Sequence, residues 1–243
     1  VCSVINETEG YELAPLITDK PFDISINAEL GALVTTGNDE STSILSKISI
    51  THEIEQWQLS YAFGSLFKKS DIILPETNER SSQTTAEKYS LEGEAKYELD
   101  ELRSLFSFAS SEFDRFGAYE DYFLIVGGYA LRAIDGSLIT WDVNIAPGFT
   151  HVKPLDESSE SAPVLRASSN FHWTISSHAK VKNLFSVETS SINTRVIFET
   201  ALTAKIHGSM LMKVAYKATS DDSVAERLAN TNTQTSVTLV INF

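Results

Sequence analysis

The sequence predicts an all-β fold: a transmembrane, antiparallel, up-and-down β-barrel of about twelve strands. Three observations carry this. Apolar residues recur with a period of two over long stretches. Short and long connections alternate along the whole chain. The last stretch, TSVTLVINF (235–243), alternates to its final phenylalanine, with Val237, Leu239, Ile241 and Phe243 on one parity.

The first strand shows the period clearly. Phe22, Ile24, Ile26, Ala28, Leu30, Ala32 and Val34 alternate with Asp23, Ser25, Asn27, Glu29 and Gly31. A run of that length exceeds the usual five or six residues of a globular strand. Trp57, Leu59, Tyr61 and Phe63 repeat the pattern against Gln58, Ser60 and Ala62. So do Tyr89, Leu91, Ala95 and Tyr97 against Lys88, Ser90, Glu92, Glu94 and Lys96. Trp141, Val143, Ile145 and Phe149 follow, then Val196, Phe198, Leu202 and Ile206, and finally Val237, Leu239, Ile241 and Phe243. Strands are expected to start near residues 22, 42, 57, 85, 104, 122, 138, 163, 179, 194, 210 and 234. Near 104 and 122 the parity is blurred, because Phe106, Phe108, Leu124 and Val126 break it.

Short turns are expected at 53–56, 99–103, 133–137, 175–179 and 206–209. Longer polar loops fall at 69–84, 112–121, 152–163 and 218–233, with shorter members at 35–40 and 189–193. Short periplasmic turns and longer external loops are the asymmetry of an outer-membrane barrel. An even strand count then puts both termini on the periplasmic side. Residues 1–21 are expected to be an N-terminal periplasmic tail or a small plug, and 22–243 the barrel.

A soluble barrel would point the apolar parity inward. A closed ring of about twelve long strands is too wide for Leu, Ala, Gly and Tyr to fill. Trp57, Tyr97, Trp141, Trp173 and Phe243 also sit near strand ends, where an interfacial aromatic girdle belongs. The apolar parity is therefore assigned to lipid, and barrel closure removes the free edge that lipid would penalise.

The net charge of −14 argues against general nucleic-acid binding. One cysteine, Cys2, makes no internal disulfide, and no zinc spacing occurs. The chain opens without a basic, apolar leader, so an exported protein would already have lost its signal.

The runs ISINAELGALVTTGNDESTSILSKISITHE (24–53), TTAEKYSLEGEAKYEL (84–99) and ALTAKIHGSMLMKVAY (201–216) resemble the YdiY-like family of salt-induced outer-membrane proteins, a bacterial family of uncharacterised function. The resemblance extends from about Asp23 to Phe243. It implies the barrel fold and a bacterial outer-membrane location. By resemblance to outer-membrane barrels in general, Phe243 and its strand would be the signal read by the barrel-assembly machinery. The family brings no catalytic motif.

The five histidines form no HExxH, and no GxSxG elbow exists, so no enzyme is predicted. His172 shares a parity with Ser168 and Asn170, which reads as a polar lining. The carboxylates of 38–40, 112–121 and 221–222 lie in expected loops without EF-hand spacing, so no metal site or cofactor is expected. Projecting the polar parity inward gives the candidate lumen. Its bases are Lys47, Lys88, Lys96, Arg166, Lys182, Arg195, Lys205, Lys213 and Lys217, and its acids Asp23, Glu29, Glu92, Glu94, Glu188 and Glu199, with His172 between them.

The function expected is a narrow passive pore for small solutes or ions. The alternative is a closed structural or partner-binding barrel, and a third reading is a lipid-active enzyme. Outer-membrane lipids and lipopolysaccharide are the expected surroundings, and any protein partner is undefined.

Overall fold

The structure, a computed structural model, describes residues 23–35, 41–73, 80–117, 119–154, 158–222 and 230–242. Twelve strands follow one another: β1 (Asp23–Thr35), β2 (Ser41–Ile54), β3 (Trp57–Ile73), β4 (Arg80–Glu98), β5 (Arg103–Asp114), β6 (Tyr119–Asp135), β7 (Ile139–Pro154), β8 (Glu160–Ser176), β9 (Ala179–Ser190), β10 (Thr194–His207), β11 (Met210–Asp221) and β12 (Thr231–Asn242). Each pairs antiparallel with its neighbours in sequence, and β12 pairs with β1 to close the barrel. The closing seam runs from Asn27–Asn242 to Leu30–Leu239. The expected tail or plug of residues 1–21 and the expected signal Phe243 lie outside the described residues.

Parity decides which face is wet. Leu30 is 61% exposed, Leu91 59% and Phe149 63%, while Arg195 is 5% and Glu188 4% exposed. Water would enforce the reverse, so the outer surface is a face for lipid. The hydroxyls that share this face satisfy each other: Ser46 Oγ and Ser65 Oγ are 2.8 Å apart, and Trp141 Nε1 donates to Ser169 Oγ at 2.8 Å. Trp57, Tyr97, Trp141 and Trp173 all lie close to the tight-turn rim. There the Trp57 and Tyr97 rings stand 5.0 Å apart, as an interfacial girdle requires.

The tight turns are local inventions of the chain. Glu55 (φ 52°) and Gly208 (φ 53°) open two of them in the left-handed region. In the turn before β5 the Asp100 carboxylate accepts from the Leu102 and Arg103 N–H groups at 3.0 and 2.8 Å. The Arg103 guanidinium and then these N–H groups hold that carboxyl below its usual range. This lock is therefore present above the ordinary carboxylate pKa and lost as pH falls through the lowered one.

Two expectations are corrected. The loops expected at 69–84, 112–121, 152–163 and 218–233 are shorter, because β3 reaches Ile73, β4 starts at Arg80, β7 reaches Pro154, β8 starts at Glu160 and β12 starts at Thr231. Above the apolar belt the backbone ladder continues after the apolar alternation has ended. The second correction concerns Phe106, Phe108, Leu124 and Val126. They face inward, so the interior is not polar all round.

The β6–β7 ladder pairs Val126 with Gly148 and Tyr129 with Ile145, and skips the residues between. Pro147, which has no N–H to give, sits in that gap. The two backbones come so close there that a Cβ on Gly128 would stand 2.1 Å from the Ile145 carbonyl oxygen. A Cβ on Gly148 would stand 2.0 Å from that of Ile125. Gly128→Ala and Gly148→Ala should each cost about 1–3 kcal/mol or more, since backbone has to move. Gly93→Ala, where nothing lies within 4 Å of the added Cβ, should be near neutral. Urea titration of vesicle-inserted protein checks this; equal effects at Gly93 and Gly148 would refute the close approach.

Candidate functional site

Inside the barrel the inward side chains sort into two walls. The wall of β5–β8 is largely apolar: Phe106, Leu124, Val126, Ala146, Val152 and Val164 form one buried cluster, with Phe108 against it. The remaining strands present Lys, Glu, Ser, Asn and Gln around a cavity of about 440 Å³.

A bridge of buried charges joins the walls towards the long-loop rim. Arg195 on β10 donates through Nη2 to Glu112 Oε1 on β5 at 3.0 Å. Those strands are five steps apart in a ring of twelve, so this contact crosses the lumen. Lys88 Nζ meets the same Glu112 oxygen at 2.7 Å and Asp114 at 3.5 Å. Arg166 Nε donates to Glu188 Oε1 at 3.2 Å, and the Tyr122 hydroxyl donates to Glu188 Oε2 at 2.7 Å. Behind Arg195, Asp221 stands 3.9 Å away and accepts from Asn193 Nδ2 at 3.2 Å.

The guanidiniums also cap the apolar wall. Arg166 lies 4.6 Å from the Phe108 ring centre and Arg195 4.2 Å from that of Tyr122. Planar, weakly hydrated guanidinium suits both jobs, since one face stacks while the edge donates. Buried ion pairs add little net stability, but losing one partner is expensive, so the network fixes the cross-section of the barrel.

Thirteen of the sixteen expected lumen residues line the cavity: Glu29, Lys47, Lys88, Glu92, Glu94, Arg166, His172, Lys182, Glu188, Arg195, Glu199, Lys213 and Lys217. Lys96 lies instead in a separate recess with Glu98, Arg132 and Asp142, and Asp23 and Lys205 are exposed near the tight-turn rim. Lys213 Nζ donates to both Glu29 oxygens, at 3.2 and 3.1 Å, across the β12 strand between them. Ser168 Oγ donates to Asn144 Oδ1 at 2.9 Å, and among the described residues no hydrogen bond joins it to His172.

Sequence reasoning missed Glu112, Tyr122, Asp221 and the Arg132–Asp142 pair (2.9 Å). Glu112 and Asp221 had been assigned to loops, yet both belong to strands. Their parity was a signal available in the sequence: Glu112 continues Ser110, and Asp221 continues Lys217 and Thr219.

A closed ring of twelve antiparallel strands, with an apolar outer belt, an aromatic girdle and a charged interior, is an outer-membrane β-barrel. More particularly, the chain belongs to the family described as protein of unknown function, DUF481, whose profile matches residues 28–243. It is 29% identical over 210 residues to the uncharacterised protein YdiY of Escherichia coli K12, covering 84% of this chain and 76% of that one. This agrees with the resemblance carried by the sequence runs. Among solved structures it is similar to an outer membrane channel from Pseudomonas putida F1, at TM-score 0.50 and 10% identity over 98% of this chain and 100% of that one. It is also similar to the translocator domain of the autotransporter NalP from Neisseria meningitidis, at TM-score 0.48 and 11% identity over 90% and 86%. At 10% identity the likeness to the channel is one of fold.

Proposed function

We propose that the protein is a narrow passive pore for small solutes or ions in the bacterial outer membrane, and that it is not an enzyme. One observation carries the reading. The lumen keeps a cavity of about 440 Å³ lined by charged groups that form no ion pair among the described residues, including Lys47, Lys182, Glu92 and Glu94. Unpaired charges are tolerated inside a barrel where water reaches them. The apolar belt would meet outer-membrane lipid and lipopolysaccharide, and insertion would go through the barrel-assembly machinery.

Conductance across a planar bilayer tests the proposal. Small unitary steps are expected, with weak anion preference at physiological salt. The cavity wall carries Lys47, Lys88, Arg166, Lys182, Arg195, Lys213 and Lys217 against Glu29, Glu92, Glu94, Glu112, Glu188 and Glu199. Wall charges outweigh loop charges at the constriction, because the Debye length is about 8 Å at 0.15 M salt. At low salt the acidic excess of the whole chain, −14, should pull the preference towards cations. Reversal potentials across a salt gradient read both.

The Arg195–Glu112 bridge favours a second reading, a closed structural or partner-binding barrel. Absence of any conductance in inserted, correctly folded protein would select it.

A further inference from the structure

The lumen charges that are already neutralised set aside the ones that are not. Glu112, Glu188 and Glu29 are taken by Arg195 and Lys88, by Arg166, and by Lys213. Glu92 and Glu94, both on β4, make no ion pair or side-chain hydrogen bond among the described residues, and neither do Lys182 on β9, Lys47 on β2, Glu199 on β10 and Lys217 on β11. β4 and β9 are five steps apart around the ring of twelve, so Glu92 and Glu94 face Lys182 across the cavity. Lys182 lies within electrostatic reach of Lys213, Lys180, Glu29 and Lys47. Glu94 lies within reach of Arg166, Lys96, Asp142 and Glu92. Lys182 and the two β4 carboxylates thus stand on opposite sides of the cavity, with Lys47 two strands from β4 and Glu199 on the strand next to Lys182.

A buried hydroxyl on the wall also lacks a partner. Ser186, inward on β9 between Lys182 and Glu188, is 1% exposed, lines the cavity, and its Oγ has no hydrogen-bond partner among the described residues. A buried hydroxyl left so is costly.

We propose that the lumen binds a small zwitterion, its carboxylate at Lys182 and its ammonium at Glu92 and Glu94. A simple anion gains at Lys182 and loses at the glutamates; a simple cation does the reverse. Only a molecule carrying both charges, lying across the lumen, compensates both walls where low-dielectric surroundings focus the field. The cavity of about 440 Å³ falls in the size range of small-molecule sites. The inference deepens the pore reading by naming its solute class, and rests on it only in taking the lumen as open to solvent.

The test is titration calorimetry on the full-length barrel in detergent micelles, with three probes of one chain length: 5-aminopentanoate, pentanoate and pentylamine, each corrected for empty micelles. The zwitterion should bind at least tenfold more tightly than either singly charged probe. In E92Q/E94Q its affinity should fall to that of pentanoate, and in K182Q to that of pentylamine. If a variant fails to fold, the three-probe comparison on the unaltered protein still decides. Pentanoate binding as tightly as the zwitterion would overturn the proposal in favour of a plain anion site, and no binding of any probe would overturn it outright. Calorimetry needs no conduction, so zwitterion binding without conductance sinks the pore and keeps the site. Conductance without binding does the opposite.

Discussion

Replacing Arg195 with methionine should lower the unfolding free energy of the membrane-inserted barrel by about 3–5 kcal/mol. Methionine keeps an unbranched apolar stem against the Tyr122 ring, so packing is largely spared. What it removes is the cation shared by Glu112 at 3.0 Å and Asp221 at 3.9 Å. Lys88 still holds Glu112, but Asp221, 4% exposed, is left with a neutral amide donor from Asn193. The cost is that of an uncompensated buried charge and not of a lost contact. The double change R195M/D221N should therefore recover much of the loss, because it removes the orphaned charge. Urea titration followed by tryptophan fluorescence measures both. A loss below about 1 kcal/mol would mean that water already screens the bridge, as for exposed pairs. On the pore reading, R195M should also raise unitary conductance, since the side chain that crosses the lumen is gone.

Leu91→Arg should cost about 2–4 kcal/mol, the penalty for arginine deep in the lipid face of a barrel. Leu91 is 59% exposed and lies beside Phe63, itself 47% exposed, on the outward side of the β3–β4 pair. Its neighbour in sequence, Ser90, lines the cavity. Ser90→Arg should be distinctly milder, since that guanidinium finds water and the Glu92 carboxylate. The two variants differ by one residue in position and by the whole barrel wall in surroundings. If the Ser90 change were the more damaging, the inside-out assignment would be wrong.

The sequence by itself determined the architecture, the twelve strands, the tight-turn rim and the outward face of most strands. The reason is the severity of the solvent. Lipid accepts no unpaired backbone and few charges, so each strand must write apolar residues on every second position. Where both parities are apolar the same code is silent. Leu105 and Phe106, or Ile125 and Val126, are adjacent, and only the tertiary structure shows that Phe106 and Val126 turn inward while Leu105 and Ile125 meet lipid. The parity also placed most of the lumen residues, because charge on an inner wall is as regular as its absence outside. It could not say which charges meet. Arg195 and Glu112 are 83 residues apart, and Tyr122 and Glu188 are 66 apart. Their contacts depend on which strands end up opposite each other and on how far the apolar wall of β5–β8 lets the section narrow. Strand periodicity fixes which side of the wall a residue occupies. Only the closed ring fixes what it faces there, and that separates the bridged half of the lumen from the half that keeps its charges open to a solute.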